Sequence, residues 1–172
     1  MTNVIVITGP PAIGKTTVAY LLSQRLGGTV ARISGDVFVL AVTPFETSEE
    51  RRAFLRANLT SFARHAVGHA YDWVVIECVI PSGEFLRRFV AETELPAERH
   101  HIFALLAGRE AYERRLRARL CECDTPATER QLRSCHEWLE RIAGLREAVP
   151  IDTTSLSPER TAELILRHLA TG

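Results

Sequence analysis

Lysine is almost missing from this chain. Of 21 basic residues, 20 are arginine and only Lys15 is lysine. Basic and acidic residues balance at 21 each, so no excess positive field exists to hold a polyanion, and nucleic acid is excluded as the expected partner. Cysteine is sparse too: Cys78, Cys121, Cys123 and Cys135 have neither the even spacing of a disulfide framework nor that of a zinc knuckle. No apolar run approaches the roughly 18 residues of a membrane-spanning helix. Met1 leads straight into a short strand pattern rather than a signal sequence. A reduced, cytoplasmic protein without membrane contact is expected. With 172 residues, 46% of them hydrophobic, the chain suits one core and is too short for two, so 1–172 is read as a single domain.

What is present is an alternation of apolar strands and amphipathic helices. Residues 3–8 (NVIVIT) form a β-branched run too short for a helix and stopped by Gly9 and Pro10, which is the pattern of a buried parallel strand. Val18, Leu21, Leu22 and Leu26 follow at helical spacing until Gly27 and Gly28. Strands are predicted at 29–34, 73–80, 101–106 and 149–152, with Pro150 confining the last to an edge or a strand start. Thr47 and Glu50 have capping-box spacing ahead of a long helix, and further helices are predicted from 82, over 109–120, from 125–126 to about 145, and from 157–158 through 168. This alternation predicts an α/β fold, a parallel sheet covered by helices on both faces. Ligands of such sheets bind beyond the carboxyl ends of the strands, and the residues that carry chemistry here all fall at those ends.

The strongest signal is Gly9-Pro10-Pro11-Ala12-Ile13-Gly14-Lys15-Thr16, which fits G-x-x-x-x-G-K-[ST] and lies between a strand and a helix as that pattern requires. Its glycines let the backbone curl so that successive N–H groups and the positive end of the helix point into one concavity suited to phosphate. Pro10 and Pro11 have no N–H to offer, so the donors are Ala12, Ile13, Gly14, Lys15, Thr16 and Thr17. Lys15 is assigned to the β- and γ-phosphates and the Thr16 hydroxyl to Mg²⁺. A compact ammonium on a flexible stem fits a tight loop where a planar guanidinium would not, which explains the sole lysine.

On the acceptor side, Asp36 follows the second strand. It is expected to serve as the catalytic base for an attacking hydroxyl; capping a short helix from Val37 is its plainer alternative. Glu77 interrupts an apolar strand, and burying an unpaired carboxylate is costly, so it is expected to reach Mg²⁺ through a water, the alternative being a hydrogen-bonded structural acid. Arg115 and Arg119, four apart on an arginine-rich helix, are expected to clamp phosphates from a lid at about 117–128; a solvated Arg/Glu face is the alternative. The segment at about 37–70 is expected to shape the acceptor site.

GPPAIGKTT, ISGD, REAYERRLRAR and VPIDTTSLSPER together resemble the small P-loop kinases of the adenylate-kinase-like group, over nearly the whole chain. Within that group the chain is most similar to the antibiotic-directed chloramphenicol phosphotransferase and tunicamycin-resistance families. The resemblance implies a three-layer fold with a five-stranded parallel sheet of order 2-3-1-4-5. It also implies ATP and Mg²⁺ as cofactors, with adenine held near Arg119 and Thr154. Glu77 and Cys78 depart from the aspartates of the phosphotransferase, and the long helix does not match its acceptor region, so the acceptor is left at a small molecule bearing a hydroxyl. A regulatory GTPase is excluded because its Asn-Lys-x-Asp guanine reader needs a second lysine. A nucleoside, nucleotide or other metabolite kinase, and a non-catalytic protein that sequesters a toxic molecule, remain as rivals.

Overall fold

The computed structural model describes residues 1–41, 47–122 and 129–171, and within them all side chains except those of 39, 41, 119–122 and 129–133. Five parallel strands, β1 (Asn3–Thr8), β2 (Val30–Ser34), β3 (Trp73–Cys78), β4 (His100–Leu106) and β5 (Val149–Asp152), form one sheet in the order β2-β3-β1-β4-β5. The parallel sense is the one read from the alternation of strands and helices, and the order is the one the family resemblance implied. β1 is central because its apolar side chains have helices to meet on both faces: Val4, Ile5, Val6 and Ile7 are all fully buried.

Period two along the strands divides the core into two layers. Ile5, Ile7, Val75 and Phe103 face α1 (Lys15–Arg25), α5 (Arg109–Glu122) and α7 (Pro158–Thr171), packing on Val18, Leu22, Tyr112, Leu116 and Ile165. Val4, Val6, Val74, Ile76 and Cys78 face the other way, toward α3 (Ser48–Gly68) and α4 (Gly83–Glu92) through Leu55, Leu59, Phe85 and Phe89. Phe38 of the short α2 (Gly35–Ala41) joins this second layer. The remaining helix, α6 (Glu129–Ala143), belongs to both: Cys135 and Leu139 pack on the first layer, Ile142 is buried in the second.

Local signals set the helix starts. Thr47 and Glu50 form the expected capping box, the Glu50 amide donating to the Thr47 hydroxyl at 3.1 Å and the Thr47 amide to the Glu50 carboxylate at 3.0 Å. Ser82 caps α4 by accepting from the Phe85 amide at 3.3 Å. Residues 125–126, the expected start of α6, lie outside the described residues. Asp36 stands inside the first turn of α2, which begins at Gly35 rather than at Val37, so it is not the residue that precedes the helix. No described helix is long and apolar enough to cross a membrane.

Candidate functional site

α1 opens unlike α3 and α4. Its N-cap is Gly14, with φ of 105° and no side-chain hydrogen bond to the helix, and its first turn contains no acidic residue. The amides that other helices satisfy with Ser or Thr are here left for something else. Ala12 is also left-handed, with φ of 62°, a conformation that costs a non-glycine residue about 1–3 kcal/mol and is retained where a site demands it. Left-handed turns at residues 12 and 14 curl the loop so that its amides converge, as in an anion-binding nest. Gly9 is required by close packing: a Cβ there would lie 2.8 Å from Ile13 Cγ2 and 2.9 Å from the Leu105 carbonyl oxygen. Lys15 is buried against the loop it serves, its ammonium donating to the Pro10 carbonyl at 3.0 Å.

The same period of two that divides the core aims Glu77. It is two residues beyond Val75, on the α1 face, in register with Ile7 of β1. There it is 1% exposed, and its Oε1 accepts a hydrogen bond from the Thr16 hydroxyl at 3.2 Å. Its other oxygen, Oε2, is buried with no hydrogen-bond partner. A buried carboxylate oxygen is costly to leave unpaired, and a hydroxyl beside a carboxylate is a hard, all-oxygen donor pair that fits Mg²⁺. Among the described residues no group of three or more His, Cys, Asp or Glu forms a self-sufficient metal site, so these two groups would share a cation with ligand and water oxygens.

Cys78 points to the opposite face and lies close against Gly35, the residue before Asp36. A Cβ on Gly35 would lie 2.5 Å from Cys78 Sγ, so only glycine lets α2 start this close to β3. Burial pushes the Cys78 thiol up to about 12; the Asp36 carboxylate adds in the same direction, Lys15 opposes and Glu77 adds again. Asp36 is exposed and lines a cleft of about 1000 Å³ that is also lined by Lys15, Thr16, Thr17 and Glu77. The structure thus brings together Ala12, Gly14, Lys15, Thr16, Thr17, Asp36, Glu77 and Arg115, whereas Gly9 and Ile13 support the loop from behind.

On the far side Arg115 and Thr154 have partners within the protein. Arg115 lines the cleft, but its guanidinium is fastened to the loop after β5, donating to Thr153 Oγ1 at 2.9 Å and to the Thr153 carbonyl at 2.6 Å. These bonds brace α5 against that loop. The Thr154 hydroxyl accepts from the Gly108 amide at 2.8 Å and donates to the Asp152 carboxylate, closing the same loop from outside the cleft lining. Those Thr154 contacts hold the Asp152 carboxyl below the usual carboxylate range. Arg119 is in α5, its side chain outside the described residues, and so are residues 123–128 of the expected lid.

The sequence reading missed Arg51 and Arg52 of α3 and Trp138 and Arg141 of α6, all of which line the cleft. A signal was available for the first pair: two arginines in the opening turns of a helix oppose its dipole, an arrangement that calls for another reason to exist.

Sheet order, phosphate loop and the Thr16–Glu77 pair define a P-loop protein of the kinase-like type. The chain belongs to the family described as AAA domain, which matches residues 4–142. No curated protein matches it in sequence. Among solved structures it is similar to the tunicamycin resistance protein of Deinococcus radiodurans, with 20% identity and a TM-score of 0.73 over 98% of this chain and 96% of that one. A gluconokinase from Sinorhizobium meliloti 1021 aligns at 16% identity and a TM-score of 0.69, covering 98% and 94%. Shikimate kinase from Acinetobacter baumannii aligns at 18% identity and 0.65, covering 99% and 94%. At these identities the likeness is one of fold.

Proposed function

We propose that this protein is an ATP-dependent phosphotransferase acting on a hydroxyl of a small molecule. The observation that carries the proposal is the uncapped, acid-free start of α1 with a buried lysine folded over it, facing a cleft that is also lined by the Asp36 carboxylate. ATP with Mg²⁺ would supply the γ-phosphoryl group and neutralise much of its charge. Amides 12–17 would hold the phosphates, and Lys15 would exchange the Pro10 carbonyl for phosphate oxygens. Thr16 would meet the cation directly and Glu77 through a water, which gives the orphaned Oε2 a partner. Asp36 would take the proton from the acceptor hydroxyl as its oxygen bonds to phosphorus and the bond to the β-phosphate oxygen breaks. Arg115 would order the β5 loop beside the nucleotide, and Arg119, one turn further along α5, is retained as a phosphate contact; Thr154 sets the loop that faces the base.

The similar structures are named for antibiotic resistance and for kinases of small molecules, and either acceptor class suits this cleft. Labelled ATP incubated with the protein and panels of antibiotics, nucleosides and sugars should yield a phosphorylated product that Asp36→Asn lowers by about 10²-fold or more while MgATP affinity is kept. Calorimetry that detects no MgATP binding to the folded protein ends the reading. MgATP binding with an acceptor that binds but is never phosphorylated would favour sequestration.

A further inference from the structure

The cleft is more positive than the rest of the molecule. It is lined by five cationic side chains, Lys15, Arg51, Arg52, Arg115 and Arg141, against two carboxylates, Asp36 and Glu77, in a chain of zero net charge. Six arginines elsewhere are neutralised: Arg56, one turn beyond Arg52, pairs with Glu92 at 2.9 Å, and Arg64, Arg87, Arg88, Arg109 and Arg160 have carboxylate partners of their own. Arg51, Arg52 and Arg141 have none among the described residues. Unpaired guanidinium groups gathered in a concavity raise the local potential, and each offers a planar fork matched to a carboxylate or phosphate.

Their placement separates them from the nucleotide. The phosphate loop follows the central strand β1. Arg115 approaches from the β5 edge, tied to Thr153. Arg51 and Arg52 approach from the β2–β3 edge on α3, whose neighbour Leu55 packs within reach of Gly35 and so beside Asp36. Arg141 precedes Ile142, which is buried in the same layer as Leu55. Arg51 and Arg52 therefore flank the part of the cleft that contains Asp36, and Arg141 faces the same cleft from α6, which packs on β4.

Resting on the kinase reading above, we infer that the acceptor is itself an anion, its carboxylate or phosphate group gripped by Arg51 and Arg52 with Arg141 opposite, its hydroxyl turned to Asp36. Leu55, Val79, Pro81 and Trp138 give its carbon skeleton apolar contact. A neutral molecule would leave the three guanidiniums without a counter-charge.

The test begins with protein saturated with MgADP, so that the phosphate loop is filled, and titrates malonate and inorganic phosphate separately by calorimetry at constant ionic strength in chloride. At least one should bind saturably; which one identifies the acceptor's group as carboxylate or phosphate. Arg51→Gln and Arg52→Gln should each weaken that binding tenfold or more, with circular dichroism and MgADP affinity as controls of folding, and Arg141→Gln provides a variant on a different helix. No saturable binding of either anion, or binding unchanged in all three variants, overturns the inference. Failure of the first step, MgADP binding, overturns instead the kinase reading and leaves the anion titration on unliganded protein to be compared between wild type and the variants.

Discussion

Glu77→Met separates stability from function at the cation site. Glu77 is 1% exposed, accepts one hydrogen bond at 3.2 Å, and has a second carboxylate oxygen with none. An unsatisfied buried polar group costs about 1–3 kcal/mol, more when charged, and methionine fills a similar volume without that cost. The Thr16 hydroxyl loses little, because Thr16 is exposed and water can replace the carboxylate. The ligand-free variant should therefore be more stable than wild type by about 1–3 kcal/mol, which for a chain of this size raises Tm by about 2–4 °C per kcal/mol. The same change should weaken Mg²⁺-dependent nucleotide affinity by about 10–100-fold, the usual effect of losing a group that orients a metal's shell. Thermal unfolding by circular dichroism without nucleotide, and ADP calorimetry with Mg²⁺ or with EDTA, read the two effects independently. A variant that unfolds at lower temperature than wild type, or that binds ADP with undiminished dependence on Mg²⁺, refutes the reasoning. Glu77→Gln, which keeps the shape and removes the charge, should fall between the two in stability.

Other consequences are open to measurement. Gly35→Ala places a methyl 2.5 Å from Cys78 Sγ, so the variant should lose about 1–3 kcal/mol in chemical denaturation and also lose acceptor turnover as Asp36 shifts. Cys78, buried with its thiol pushed up to about 12, should stay unlabelled by iodoacetamide at pH 8 in native protein and react once unfolded, as read by peptide mass spectrometry. Asp72 accepts from the Thr29 amide at 2.7 Å and hydroxyl at 2.9 Å, which hold its carboxyl below the ordinary 3.8. A depressed carboxyl stabilises the fold above its unfolded value and loses that contribution as pH falls through the folded one. The Tm advantage of wild type over Asp72→Asn should thus be present at pH 6 and vanish below the carboxylate range; an advantage constant down to pH 2.5 contradicts it.

Elements whose signal is local were legible in the sequence. NVIVIT and VPID bound β1 and β5 as read, because Gly, Pro and the edge-strand proline punctuate them directly. The Thr47–Glu50 box marked α3 for the same reason. In the site, Lys15, Thr16, Asp36 and Glu77 were legible because each breaks a local rule: a lone lysine, a glycine loop, an acid after a strand, a carboxylate within one. Arg51, Arg52, Trp138 and Arg141 were not, since nothing local tells which face of α3 or α6 crosses the strand ends; that follows from the sheet order and from α6 packing on both layers. Arg115 showed the limit differently, its charge legible but not its commitment to a carbonyl 38 residues away.

α6 has anchors in two places, Leu139 in one apolar layer and Ile142 in the other, each directly preceded by a residue that lines the cleft, Trp138 and Arg141. A molecule that takes hold of Trp138 or Arg141 pulls on a girder bolted to both halves of the building. Its arrival should be felt as slowed amide exchange in α7 and α4 alike, although neither helix touches it, and the protein should melt as one unit with or without it.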